Sequence, residues 1–247
     1  MNAIRAEMLL PAAILSVLLG TSLIKSANAF VPSRKEDSRA FAVGHLAVGY
    51  LLGTLSARFL KTKINIPIAL ALSIIPDSDI LFEKLHVPFI MHRGPVHSII
   101  TALIIFLPFF LIYRARAIPY FLALVQHFLI GDYLTGGSQL LWPVSTQLYG
   151  IGLQITSPTN IAIEWIAFSI SIIVMIKTKD IASFFQSHAT NILLAIPTFT
   201  VLLPALLGFP LHVPALLIPP HLFYVILFST SIVITLTKRQ TRLNAKS

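Results

Sequence analysis

Residues 117–135 read AIPYFLALVQHFLIGDYLT, an apolar stretch long enough for a helix to cross the hydrocarbon layer, which takes roughly 17–25 residues. The stretch nevertheless carries His127 and Asp132. Ionisable groups at membrane depth are rare, and by default they mark function. Working outward, comparable apolar runs occupy 8–24, 44–60, 64–76, 97–113, 157–176, 190–208 and 214–236. A composition of 56% hydrophobic and 11% charged residues supports such a series, whereas a soluble domain carries about 25% charged residues. The chain therefore reads as all-α, a polytopic helical membrane protein with seven or eight apolar segments. Run 64–76 is the short one and reads as a half-helix or a short tilted helix, stopping at Pro76 before Asp77.

The segment 8–24 followed by Ser26-Ala27-Asn28-Ala29 reads as a signal peptide or a signal anchor over 1–29. A polar linker over 30–43 follows, then a helical core over 44–156 and additional transmembrane helices over 157–247. With no cysteine, any metal must be held by nitrogen and oxygen. The net charge of +9 comes from 18 Lys and Arg scattered between the spans, which fits topology and contact with membrane lipids. Nucleic-acid binding is not expected. Placing Lys238, Arg239, Arg242 and Lys246 inside puts Lys177/Lys179, Arg114/Arg116 and Arg58/Lys61/Lys63 inside as well. Segment 25–43, with Lys25, Arg34, Lys35 and Arg39, is the misfit. This orientation, in a cell membrane, sends the ionisable residues of the core toward the outside.

Those residues form an ordered set. Asp77-Ser78-Asp79 follows Pro76, and in an extended segment two carboxylates two residues apart point the same way and repel unless a cation lies between them. In His92-Arg93-Gly94-Pro95-Val96-His97-Ser98, Gly94 permits a sharp turn and Pro95 suits the first turn of a helix. His92 and His97 then converge from different backbone directions. Arg93 and the free N–H groups of that helix start are placed to meet a phosphate oxygen. His127 and Asp132 are five residues apart, about 500° on an ideal helix, so they share a side only if the helix ends near Gly131 and Thr135-Gly136-Gly137. His45 opens its own span and adds a seventh ligand. Glu164 is the other acid inside a span and is a candidate for supporting the ligands or lining a substrate pocket. His86, His188, His212 and His221 have no acidic neighbours and read as interfacial. Imidazole with carboxylate suits zinc first, then manganese or iron, and seven ligands exceed one tetrahedral shell.

In this order, His45, Pro76-Asp77-Ser78-Asp79, His92 through Ser98, and His127 through Asp132 with Thr135 resemble the motifs of the YdjM-like membrane-bound metal-dependent hydrolases. The resemblance covers roughly residues 40–145, leaving the N-terminal 40 residues and the C-terminal third outside. That family is grouped with zinc-dependent phospholipase C and related single-strand nucleases. The resemblance implies a mostly helical fold, a multinuclear zinc site and a hydrolase. The expected activity is therefore cleavage of a phosphoester, such as a phospholipid, with a metal-activated water. His45, Asp77, Asp79, His92, His97, His127 and Asp132 would hold metal, while Asp79 and Arg93 would act in catalysis. A divalent-cation transporter and a membrane protein with a purely structural metal are the rival readings.

Overall fold

A computed structural model describes residues 41–80, 92–209 and 212–244. The segment 8–24, the linker up to residue 40 and His86 lie outside the described residues, and the last linker positions, 42 and 43, already belong to the first helix. Helix α1 runs Ala42–Phe59 and α2 runs Ile66–Ile74, prolonged by a 3-10 turn over Ile75–Ser78. The Asn65 side chain caps α2 by accepting the Ile68 N–H, and Pro67 needs no partner for the N–H it lacks. Helix α3 is Ile99–Tyr113 and α4 is Ile118–Gln126, continued by a π-helical turn over His127–Asp132 and a last short turn to Thr135. Helix α5 spans Pro158–Lys177, capped by Ser157. A helical run Ala189–Leu206, α6, is broken by a second π turn over Thr198–Leu202, and α7 spans Ile218–Asn244.

Among the described residues, four helical runs are long and apolar enough to cross a bilayer: Ile99–Thr135, Pro158–Lys177, Ala189–Leu206 and Ala215–Thr241. That is fewer than the seven or eight segments expected, for identifiable reasons. Runs 97–113 and 117–135 are joined through a 3-10 turn at Arg114–Ala117, where Arg114 takes φ 50°. The chain reverses there. Phe121 packs on Phe106 and Phe110 with ring centroids 5.4 and 5.1 Å apart, whereas a straight helix would hold residues 106 and 121 roughly 22 Å apart. Helix α2 with its 3-10 extension, Ile66–Ser78, is apolar but too short to cross, every residue of α2 is buried, and run 8–24 lies outside the described residues.

Which helices meet lipid is written in side-chain spacing. Ile163, Ile166, Ile170, Ile173 and Ile176 are exposed along one stripe of α5 at helical intervals, and Leu103, Ile104, Leu107 and Leu111 do the same on α3. Buried α1 solves the opposite problem of approaching its neighbours closely. A Cβ at Gly49 would collide with Ser73 of α2, and one at Gly53 would stand 2.9 Å from Ile64 and 3.4 Å from the Pro119 carbonyl. Small residues at such crossings let helix backbones pack without a hydrophobic driving force between them. The result places α1 against α2, α4 and α5, with α6 and α7 closing the far side of the core around Tyr50, Leu194, Tyr224 and Phe228.

Candidate metal centre

Four chain segments meet at the end of the bundle where α1 begins. His45 stands in the first turn of α1, Asp77 and Asp79 in and just after the 3-10 turn that follows α2, His92 and His97 before α3, and His127 and Asp132 in the π turn of α4. All seven residues are buried, none more than 4% exposed. The structure thus brings together every ligand expected from the sequence.

The backbone differs from expectation at three points. Asp77-Ser78-Asp79 is helical, not extended, because Pro76 opens a 3-10 turn without breaking the chain direction. The two carboxylates still meet at His97, whose Nδ1 is 3.3 Å from Asp79 Oδ2 and whose Nε2 is 3.8 Å from Asp77 Oδ1. His97 lies in a 3-10 turn over Pro95–His97, and the helix proper starts at Ile99. Ser98 caps that helix by accepting the N–H groups of Ile100 and Thr101, so donors expected to await an anion already have a partner. Finally, α4 does not end near Gly131. It widens into a π turn, which inserts one residue and brings positions five apart to one side. His127 Nε2 and Asp132 Oδ2 are consequently 3.9 Å apart, and His97 Nε2 lies 3.4 Å from the same Asp132 oxygen. The true helix end is Gly136-Gly137, whose N–H groups both donate to the Asp132 carbonyl, with Gly137 at φ 84°.

The imidazoles are oriented by their outer nitrogens. His127 Nδ1 lies 2.8 Å from the Ser73 carbonyl, which can only accept, so Nδ1 carries a proton and Nε2 is the nitrogen turned toward Asp77 Oδ1 at 3.2 Å. This is the arrangement that fixes a ligating histidine. His92 Nδ1 meets Asp79 Oδ1 at 2.8 Å. The His45 ring stacks on His127 with centroids 3.8 Å apart and occupies the space a Cβ at position 131 would need, which is why Gly131 is there.

Several supporting residues carry no signal of their own in the sequence. Gln126 Nε2 donates to the carbonyls of His45 and Ala123, binding α1 to α4 beside the cluster. Ser78, between the two aspartates, exchanges a hydrogen bond with Thr200 in the second π turn at 3.1 Å. No local pattern marks these polar residues, since their partners are 81 and 122 residues away. Arg93 is also placed otherwise than expected. Its guanidinium donates to Asp132 Oδ1 at 3.0 Å, Thr135 Oγ1 at 3.2 Å and the Gly137 carbonyl at 3.2 Å, and is 1% exposed. It grips the end of α4. Glu164, from α5, accepts the Gly44 N–H at 2.5 Å and so places a carboxylate at the positive end of α1, one residue from His45.

A divalent cation fits this donor set. His45, Asp77 and His127, then Asp77, His92 and His97, then His97, His127 and Asp132, each offer ligand atoms within 4.8 Å of one another. Among the described residues, both ring nitrogens of His45 and of His97, with Asp79 Oδ2 and Asp132 Oδ2, are buried without a hydrogen-bond partner. Among the described residues, one guanidinium pairs with the three carboxylates of Asp77, Asp79 and Asp132, that of Arg93, and it does so at Asp132. Uncompensated carboxylates at such depth are costly, and cations offset that cost.

Fold and site together define a helical integral membrane protein with a buried His/Asp cluster suited to metal. The chain belongs to the YdjM inner membrane protein family, whose model matches residues 41–211. That match extends through α5 and α6, well past the roughly 40–145 over which the motifs resemble the family. No curated protein and no solved structure matches the chain.

Proposed function

We propose that this protein is a membrane-bound, metal-dependent hydrolase that cleaves a phosphoester, with phospholipids the first substrates to try. The observation that carries the reading is the convergence of four histidines and two aspartates into overlapping ligand triads at one end of the bundle, with Asp79 beside them against His92 and His97. Zinc is the first expectation for the ion and manganese or iron the next, and the overlap of the triads favours more than one. A divalent ion in such a site supplies a Lewis acid for a phosphoryl oxygen and makes bound water acidic near neutral pH.

The chain's own residues have separable roles. His45, His97, His127, Asp77 and Asp132 hold the ions, with His92 set by Asp79. Asp79 Oδ2 has no hydrogen-bond partner among the described residues and is the carboxylate oxygen assigned to accept the proton of an attacking water. Arg93, expected from the sequence to bind phosphate, is instead assigned to positioning Asp132, because its terminal nitrogens are already engaged. The site is assigned to the outer side of a cell membrane on the distribution of Lys and Arg.

The test uses full-length protein purified without chelator. Phospholipid and model phosphodiester hydrolysis should stop on chelation, return with zinc or manganese, and be lost in His97→Ala. Zinc flux across proteoliposomes without hydrolysis would replace the reading with a transporter. Tightly held metal with neither flux nor turnover would leave a metal that ties α1, α2, α3 and α4 together.

A further inference from the structure

At the opposite end of the bundle, where α1 runs into α2 and α3 turns into α4, the surface forms a basin of about 600 Å³ lined by Lys61, Thr62, Ile112, Tyr113, Arg114 and Arg116. Fourteen residues of α1 separate His45 from Phe59, which at 1.5 Å per residue sets this basin roughly 20 Å or more from the metal cluster. Among the described residues, three cations line it and no carboxylate does. Both turns that shape it hold a basic residue at positive φ, Lys61 at 51° and Arg114 at 50°. The rim is of a different nature. Phe59 is 86% exposed, Leu111 73% and Ile112 64%, next to the cationic lining. A free anion would be served by the charges alone, whereas large apolar side chains at the lip suit a ligand that carries hydrocarbon as well as negative charge.

We propose that this basin is a seat for the phosphate of an anionic phospholipid, with Lys61, Arg114 and Arg116 around the headgroup and Phe59, Leu111 and Ile112 along the acyl chains. Charge at a bilayer surface and apolar contact below it are the two terms by which a membrane protein recognises such a lipid. The inference does not depend on hydrolysis at the metal cluster, because the two sites lie at opposite ends of α1.

Native mass spectrometry of the full chain in detergent, titrated with phosphatidylglycerol, phosphatidylcholine or inorganic phosphate, tests it. Phosphatidylglycerol should be retained and phosphatidylcholine and inorganic phosphate should not compete with it. Each of Lys61→Gln, Arg114→Gln and Arg116→Gln should weaken retention roughly fivefold, and the triple variant roughly a hundredfold. The charge-conserving pair Arg114→Lys and Arg116→Lys should stay within about twofold of wild type, since a surface charge is the quantity being read. Lys177→Gln with Lys179→Gln, basic residues outside the basin lining, should leave retention unchanged. Equal loss in that control would overturn the seat in favour of diffuse surface charge. Competition by inorganic phosphate would overturn it in favour of a free-anion site. If the triple variant does not purify, the three single variants decide, and unchanged retention in all three would overturn the proposal.

Discussion

Arg93 shows how one residue's role depends on contacts that no local pattern predicts. In the sequence it stands beside His92 and before a proline, where a phosphate-binding arginine would also stand. In the fold its guanidinium is 1% exposed and closes on Asp132, Thr135 and Gly137. Arg93→Ala should therefore leave a buried carboxylate without its cation, at a cost of about 3–5 kcal/mol. Thermal unfolding and metal content of the purified variant should both fall, and Arg93→Lys should recover only part, because an ammonium cannot reproduce the forked contact. Gly131→Ala tests a steric requirement. The added methyl would occupy the place of the His45 ring, so metal content should drop even though alanine favours helix more than glycine does. Ligand identity is legible in the sequence, because histidine and aspartate are too costly in apolar spans to persist there without a function. Their supports are not, because Gln126, Ser78 and Thr200 are ordinary polar residues until distant segments meet.

At the level of elements, the π turn at His127–Asp132 decides whether the fourth segment contributes one ligand or two. On an α-helix Asp132 would point some 140° away from His127, and from sequence alone the pair can be reconciled only by ending the helix. Gly131 and the Gly136-Gly137 pair both suggest an end, and only the second is one, since local glycine signals do not reveal what a neighbouring ring will occupy. Deleting Leu129 should turn the π turn back into regular helix, in which His127 and Asp132 are four residues apart and still share a face. Metal content should therefore stay above that of Asp132→Ala while helical circular dichroism is retained, and a fall to that level would show that the π geometry itself is required. The caps are more transparent. Asn65, Ser98 and Ser157 each precede an apolar run and each caps it, although Ser98 also shows that α3 begins later than Pro95 suggests.

Across the whole molecule, the periodic isoleucines of α5 and leucines of α3 make the lipid-facing helices readable, but hydropathy alone does not distinguish a helix that meets lipid from one enclosed by protein. Helix α2, Ser73 apart, is apolar all round because other helices surround it. The absence of cysteine makes sidedness directly measurable. Ser145→Cys, in the loop after α4, and Thr62→Cys, between α1 and α2, should react with a membrane-impermeant maleimide from opposite sides, with Ser145→Cys labelled from outside intact cells. Labelling of both from one side would refute the path of the chain from α1 to α4. Chelation should also lower the unfolding temperature of the whole chain, as expected for loss of a ligand bound only by the folded state.

The bond between Glu164 and the Gly44 N–H spans 120 residues of sequence. During synthesis the start of α1 reaches the membrane long before its partner exists, and at 5–20 residues per second the wait is roughly 6–24 s. Throughout that interval the face of α1 that begins at Gly44 lacks the α5 wall that later covers it, even once α2 and α4 have closed on Gly49 and Gly53. Nascent chains arrested before residue 164 should accordingly be extracted and degraded by membrane proteases, whereas those arrested after α5 has emerged should persist.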